Sequence, residues 1–268
     1  MSRSDTLMVK IGGGAAINLA GIAEDLGRLP GPVVVVHGAN AARDDLAVRL
    51  GHVTRILTSV SGYQSVYSDD AAIDLLLMAY AGLVNKRLVE LLQRHGRNAI
   101  GLTGLDGRLV VGRRNAGIRV REDGKTLLIR DRSGKPVSVN EPLLGLLLDA
   151  GYLPVVTVPL ADEEGFAINA ENDEVVAALQ RGLGAERVVQ LIEAPGLLRD
   201  PADPTSVRDR VGAAELVALE ESATGRFKRK IRALRLMLEV GSVTVTMADG
   251  RGPHPVADAL AGRGTTIA

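Results

Sequence analysis

Lys10 lies near the end of the apolar run Met8-Val9-Lys10-Ile11, and Gly12, Gly13 and Gly14 follow it. This order sets a cation beside backbone N–H groups that no side chain screens. Such a turn can cradle phosphate oxygens while the ammonium group offsets their negative charge. The lysine precedes the glycines, so the pattern differs from the phosphate-binding loop in which the lysine comes after them. Glycines after a strand also form plain turns, and this segment alone leaves both readings open. A second glycine turn, Val36-His37-Gly38-Ala39-Asn40, follows the next apolar run. Two strand–turn–helix units this close together could set their turns face to face and hold an anionic ligand from both sides. His37 alone reads as a turn or core histidine rather than as a base.

Toward the other end, Gly225-Arg226-Phe227-Lys228-Arg229-Lys230 opens a long helical pattern. Cations in a first helical turn oppose the helix dipole, which favours anions there. The segment reads either as a solvated basic face or as a place for an anion such as a nucleotide phosphate. Asn169 and Asp173 lie four apart at another helix start. Asn169 could hydrogen-bond a substrate, and Asp173, an acceptor, could hold lysine ammonium groups. Both are also ordinary helix-capping residues.

The elements that must position these groups alternate. Strands are expected at 7–11, 33–36, 98–102, 153–158, 187–192 and 242–247. Helices are expected at 17–29, 41–50, 70–81, 83–95, 141–150, 173–183 and 224–240. The alternation predicts an α/β fold with a mostly parallel sheet and helices on both faces. In such sheets ligands bind beyond the carboxyl ends of the strands, where both glycine turns fall. Residues 108–135 break the alternation, reading as short strands joined by polar turns. They carry nine basic residues against three acidic ones, a balance of +6 in a chain of zero net charge. This stretch is either a solvated hairpin face or a docking surface for an acidic partner.

Composition bounds the rest. With 268 residues and 46% apolar content the chain can bury a large core, in one α/β domain or two lobes. Basic and acidic residues balance at 32 each, so no global field favours nucleic acid or membrane. The absence of cysteine excludes disulfides and thiolate metal sites, and the four histidines show no zinc spacing. Aromatic residues are 2% with no Trp, which disfavours base stacking on RNA or single strands. Met1 to Asp5 lack an apolar signal region, and no apolar run approaches the roughly 20 residues that span a bilayer. A cytoplasmic protein is the expectation.

Together these segments resemble the amino acid kinase family in its N-acetylglutamate kinase branch. They are most similar to the kinases acting on aminoadipate or glutamate held by an amino-group carrier protein. The marks are V-K-I-G-G-G near the start, V-V-H-G after the second strand and A-G-L-V-N-K-R-L-V-E-L-L at 81–92. The run N-A-I-G-L-T-G-L-D-G-R-L-V-V-G-R-R at 98–114 is characteristic of the carrier-dependent group. A-G-Y-L-P-V at 150–155, A-I-N followed by Asp173, A-P-G-L-L at 194–198 and G-R-F-K-R-K complete the match over nearly the whole chain.

The resemblance implies a three-layer αβα sandwich around a mostly parallel sheet, with residues 108–135 as a basic β-hairpin insertion. Residues 1–170 would form the lobe for amino acid and carrier, and residues 171–268 the nucleotide lobe. The implied reaction is ATP-dependent phosphorylation of a side-chain carboxylate to an acyl phosphate, with Mg2+ brought by the nucleotide and no metal site of the protein's own. Lys10 and Lys230 would stabilise the transferring phosphoryl group, with Asp173 orienting both. Gly12, Gly13 and Gly38 would supply backbone donors, Gly38, Ala39, Val66 and Asn169 would line the substrate, and Glu193, Gly196 and Leu197 would lie against the nucleotide. Arg113, Arg114, Arg119 and Arg121 would dock a small acidic carrier, and the protein would be a homodimer.

Three departures from the family pattern stand out. Ala39 and Asn40 replace glycines of the second turn, so a methyl group is expected near the substrate. Val66 stands where the family has an arginine that clamps the substrate α-carboxylate, so that carboxylate is expected to be absent, amidated, or held by another cation such as Arg55. Leu191-Ile192-Glu193-Ala194 replaces the usual Ser-Asp or Ser-Asn. Other readings are a kinase for free N-acetylglutamate, a side-pathway carrier-dependent kinase with an unusual substrate, and a nucleotide-binding regulator without turnover.

Overall fold

Val33-Val34-Val35-Val36 is β-branched at every position, a pattern that suits a strand covered on both faces. The computed structural model describes residues 3–122, 125–239 and 243–268, and all four valines are buried in it. The chain starts with β1 (Leu7–Ile11), α1 (Leu19–Arg28), β2 (Val33–His37) and α2 (Asn40–Arg49). A short hairpin of β3 (Ile56–Thr58) and β4 (Gln64–Val66) precedes α3 (Asp70–Leu76), a π-helical stretch Leu77–Val84 and α4 (Asn85–Arg94). Then come β5 (Ala99–Thr103), β6 (Val110–Arg114), β7 (Ile118–Glu122), β8 (Lys125–Ile129), β9 (Gly134–Val139) and α5 (Glu141–Asp149). They are followed by β10 (Leu153–Thr157), β11 (Leu160–Ala161), β12 (Ala167–Ile168) and α6 (Asn172–Leu183). The remainder holds β13 (Arg187–Ile192), β14 (Arg210–Val211), α7 (Ala213–Ser222), α8 (Gly225–Leu238), β15 (Thr244–Asp249), α9 (Pro255–Leu260) and β16 (Thr265–Ile267).

Eight strands form one sheet in the order β14-β16-β15-β13-β1-β2-β10-β5, and only the β15–β16 pairing is antiparallel. Strand side chains alternate between two cores. Met8, Val34, Val36, Val156 and Val188 face a layer containing α3, α5, α6 and α8. Val9, Ile11, Val35, Val155 and Val189 face α1, α4 and α9. This is the expected αβα sandwich. The sheet runs uninterrupted across residue 170, because β1 pairs with β13 along all five of its residues.

Several expectations change in detail. The helices foreseen at 70–81 and 83–95 are one continuous rod, since Gly82 weakens a helix without breaking it and the π-helical stretch carries the chain through. Residues 108–135 do not make a single hairpin. β6 and β9 pair with each other and join β11 and β12 in a four-stranded sheet, while β7 and β8 form a separate two-stranded arm. The arm's turn residues Asp123 and Gly124, Val240 at the end of the expected last helix, and Ser242 at the start of the expected last strand lie outside the described residues. So do Met1 and Ser2 of the leading segment.

Candidate active site

Alternation along β1 puts Lys10 on the same face as Met8, beneath the first turn of α6. That turn carries Asp173, and α8, packed on α6, brings Lys230 to the same carboxylate. Lys10 Nζ stands 3.0 Å from Asp173 Oδ1, and Lys230 Nζ stands 3.4 Å from Asp173 Oδ2. Burial alone would raise the Asp173 pKa, but the two ammonium groups outweigh it and hold the carboxyl well below its usual range. Burial pulls Lys230 down to about 8, against the attraction of Asp173 and with repulsion from Lys10 added. The result is a pair of mutually repelling cations held together by one carboxylate, ready to share an anion.

The two glycine turns meet beside this pair. A Cβ on Gly13 would fall 2.6 Å from Asn40 N and 2.7 Å from Ala39 N, so glycine is required for the turns to touch. Two of the expected phosphate donors are engaged elsewhere: Gly12 N–H donates to Leu191 O and Gly38 N–H to Ile11 O, each at 2.9 Å. Both glycines continue the sheet's hydrogen-bond ladder by one residue. Gly13 and Gly14 N–H have no acceptor among the described residues and are donors open to an anion. His37 is fully buried and lowered to about 4, chiefly by burial, with the Gly38 carbonyl opposing and Lys86 assisting. Its Nε2 accepts from Asn85 Nδ2 at 3.1 Å, so it is a neutral core group that anchors the second turn.

A cleft of about 530 Å³ opens over these groups, lined by Lys10, Gly13, Gly38, Val66, Asn169 and Lys230 among others. Ser65 Oγ, Asn172 Oδ1 and Arg229 Nε are buried on its walls without partners, which suits a polar ligand. Asn169 Nδ2 donates to Ser68 Oγ at 3.0 Å, and Asn169 caps no helix. Asp173 is likewise inside α6 rather than its cap. Glu193 reaches the first turn, accepting Ala16 N–H at 2.7 Å and lying where a Gly14 side chain would be.

Other expected residues fall outside the cleft. Leu197 is buried in the core, its N–H donating to Thr265 Oγ1 at 2.8 Å, and Gly196 packs against Thr265 and Val207. The Ala39 methyl also points into the core rather than into the cleft, because Ala39 sits at the turn into α2. Arg55 pairs with Glu122 at 2.5 Å, stacks over Tyr67 and does not line the cleft. The sequence reading missed Arg43 and Tyr80, which line the cleft from α2 and the π-helical stretch.

A second cavity of about 380 Å³ adjoins the cleft through Ser65, Asn169, Ala170, Glu171 and Arg229. Its outer wall includes Arg119 and Ile118 of β7 and Lys135 of β9. Among the expected docking residues, Arg113 pairs with Glu163 at 3.1 Å and Arg114 with Asp162 at 2.6 Å. Arg119 and Arg121 are exposed on β7 with no ion pair among the described residues. The basic stretch is thus partly neutralised at its base, and among the described residues Arg119 and Arg121 of its arm carry no ion pair.

A glycine turn beside a lysine at the end of β1, with a second lysine reaching the same carboxylate from α8, defines a phosphoryl-transfer class of site. The chain belongs to the amino acid kinase family, whose sequence pattern matches residues 5–249. Over 97% of its length it is 43% identical to a LysW-aminoadipate kinase of Thermus thermophilus, covering 99% of that relative. It is 38% identical to a LysW-aminoadipate kinase of Deinococcus radiodurans, over 97% of this chain and 91% of the other. In fold it is similar to N-acetylglutamate synthase from Neisseria gonorrhoeae, solved with coenzyme A and N-acetyl-glutamate (TM-score 0.79, 23% identity). That match spans all of this chain and 60% of the synthase chain.

Proposed function

We propose that the protein phosphorylates the side-chain carboxylate of aminoadipate, or of glutamate, carried on an acidic amino-group carrier protein of the LysW kind. ATP is the donor and an acyl phosphate is the product, on a route of the lysine or arginine type. The observation that carries this reading is the meeting of Lys10 and Lys230 across Asp173. Phosphoryl transfer requires positioning and charge neutralisation and little covalent work by the protein. Lys10 and Lys230 neutralise the transferring group, Asp173 keeps them in place, and Gly13 and Gly14 N–H bind phosphate oxygens. The acceptor carboxylate is already ionised at pH 7, so no general base is needed. Mg2+ would come bound to ATP and would supply charge screening for its phosphates.

In this reading residues 1–170 hold the acceptor and residues 171–268 the nucleotide. The exposed Arg119 and Arg121 on the arm, with no ion pair among the described residues, favour a carrier over a free amino acid, and the second cavity is the path by which the tethered acceptor enters. A cytoplasmic homodimer completes it, supported by exposed Leu77, Met78 and Leu83 on the helical rod. The test is turnover of ATP in hydroxylamine, which traps acyl phosphate as hydroxamate. Hydroxamate is expected with the charged carrier only. Product from free N-acetylated acid alone would redirect the reading to an acetylglutamate-type kinase, and product from neither acceptor would point to a regulator.

A further inference from the structure

Arg43 is a buried cation that the chemistry above does not use. Its side chain is 7% exposed, and its Nε and Nη2 both donate to one oxygen of Asp44, at 2.9 and 2.7 Å. Asp44 is its sequence neighbour and is 53% exposed at the cleft mouth. The remaining guanidinium N–H groups have no acceptor among the described residues. A buried guanidinium with one solvated, single-oxygen partner retains donors for a second anion.

Its position selects that anion. Arg43, Val66 and Asn169 line the main cleft and also a small pocket with His52, Thr54 and Ser68. Lys10 and Lys230 line only the main cleft. Arg43 therefore lies where the cleft borders the small pocket, which the phosphoryl-transfer pair does not line, and it is the only Lys or Arg among the described residues lining that pocket. Val66, which lines the same pocket, cannot bind a charge. An acceptor joined to its carrier through the amino group keeps two carboxylates, the one to be phosphorylated and the α-carboxylate. With one carboxylate at Lys10 and Lys230, the other goes to Arg43 at the small pocket, since Arg229, the other arginine on the cleft, is paired with Glu171 at 2.8 Å and borders the second cavity instead.

Building on the kinase reading, we infer that Arg43 determines acceptor specificity by binding the α-carboxylate from α2. A guanidinium can take that group with two parallel N–H bonds, which no other described side chain around the small pocket can do. The test compares carrier charged with 2-aminoadipate against carrier charged with its α-carboxamide, which keeps the reacting carboxylate. Wild-type protein is expected to prefer the carboxylate roughly a hundredfold in kcat/KM, since the amide offers one acceptor oxygen and no charge to the guanidinium donors that Asp44 leaves open. Arg43→Gln should abolish that preference, mainly through the acceptor KM, with the KM for ATP within about twofold of wild type. Arg43→Lys, which keeps the charge without the fork, should fall between.

Three results would overturn the inference: wild type indifferent to the amide, Arg43→Gln retaining the preference, or Arg43→Gln losing equally on both acceptors. Where Arg43→Gln does not fold, an Arg43→Lys protein with the full wild-type preference overturns it. Absence of hydroxamate from wild type with either acceptor contradicts the kinase reading instead. Calorimetric binding of the two carriers with a non-hydrolysable ATP analogue then still reports the preference, and binding of neither counts against Arg43.

Discussion

Replacing Asp173 with asparagine removes the carboxylate that Lys10 and Lys230 share, and the consequence can be worked out from the contacts. At 3.0 and 3.4 Å, an effective dielectric of about 20 gives gross attractions of roughly 5.5 and roughly 4.9 kcal/mol. Burial of all three groups offsets part of this. A net loss of about 3 kcal/mol to the charged form of Lys230 is the low end for a buried pair deprived of one member. At about 1.4 kcal/mol per pKa unit, Lys230 falls from about 8 to about 6. Its protonated fraction at pH 7 then drops from roughly 90% to roughly 10%. Lys230 acts as a cation, so activity is present below its pKa and disappears as pH rises through it. The assay is kcat/KM for ATP across a pH series, which reports groups of the free enzyme. Wild type should lose activity with a midpoint near 8, and Asp173→Asn should lose it with a midpoint near 6, on a lowered plateau. An alkaline limb that stays near 8 in the variant would refute the coupling on which the whole site depends.

Gly13→Ala pushes a Cβ into the backbone of residues 38–40. It should lower stability by about 2 kcal/mol and turnover by more than tenfold, and an unchanged urea midpoint would contradict the contact between turns. Arg119→Glu with Arg121→Glu should raise the carrier KM about tenfold at low salt, converging on wild type as salt rises, with the ATP KM unchanged. Equal rises in both KM values would remove the arm from docking. Because folded Lys230 titrates near 8 while an unfolded lysine titrates near 10.4, free protein gains stability from this group as pH rises between those values. Stabilisation by added inorganic phosphate should move oppositely, larger at about pH 7 than at about pH 9.5, since the cation that receives the anion is lost. A melting-temperature increment that does not change with pH would argue that phosphate binds elsewhere.

The parallel sheet was readable because buried strands and their helices are local patterns, and Val33 to Val36 or Leu7 to Ile11 carry them without outside help. Lys10 and the glycines were readable for the same reason. What could not be read is what depends on partners far along the chain. The ladder bonds that engage Gly12 and Gly38 come from Leu191 and Ile11, and the approach of Glu193 to Gly14 joins segments almost 180 residues apart. β3 and β4 mix polar and apolar residues on an exposed hairpin, so neither period rises above the background. α7 shows the same weakness, with Leu216 as its one buried residue.

Arg43 is the most instructive omission. It sits in Asn40-Ala41-Ala42-Arg43-Asp44-Asp45, a polar helix start in which an arginine beside two aspartates suggests a solvated ion pair. Its burial follows from the walls raised around it by β4, the helical rod and the segment ending at Asn169, none of which is near it in sequence. Val66 and Arg43 stand 23 positions apart in the chain and on one pocket in the fold. The apparent loss of a cation at the first can therefore be judged only once the second has been placed. A missing charge at one position of a site is evidence of altered chemistry only after every element bordering the same space has been searched for the charge that answers it.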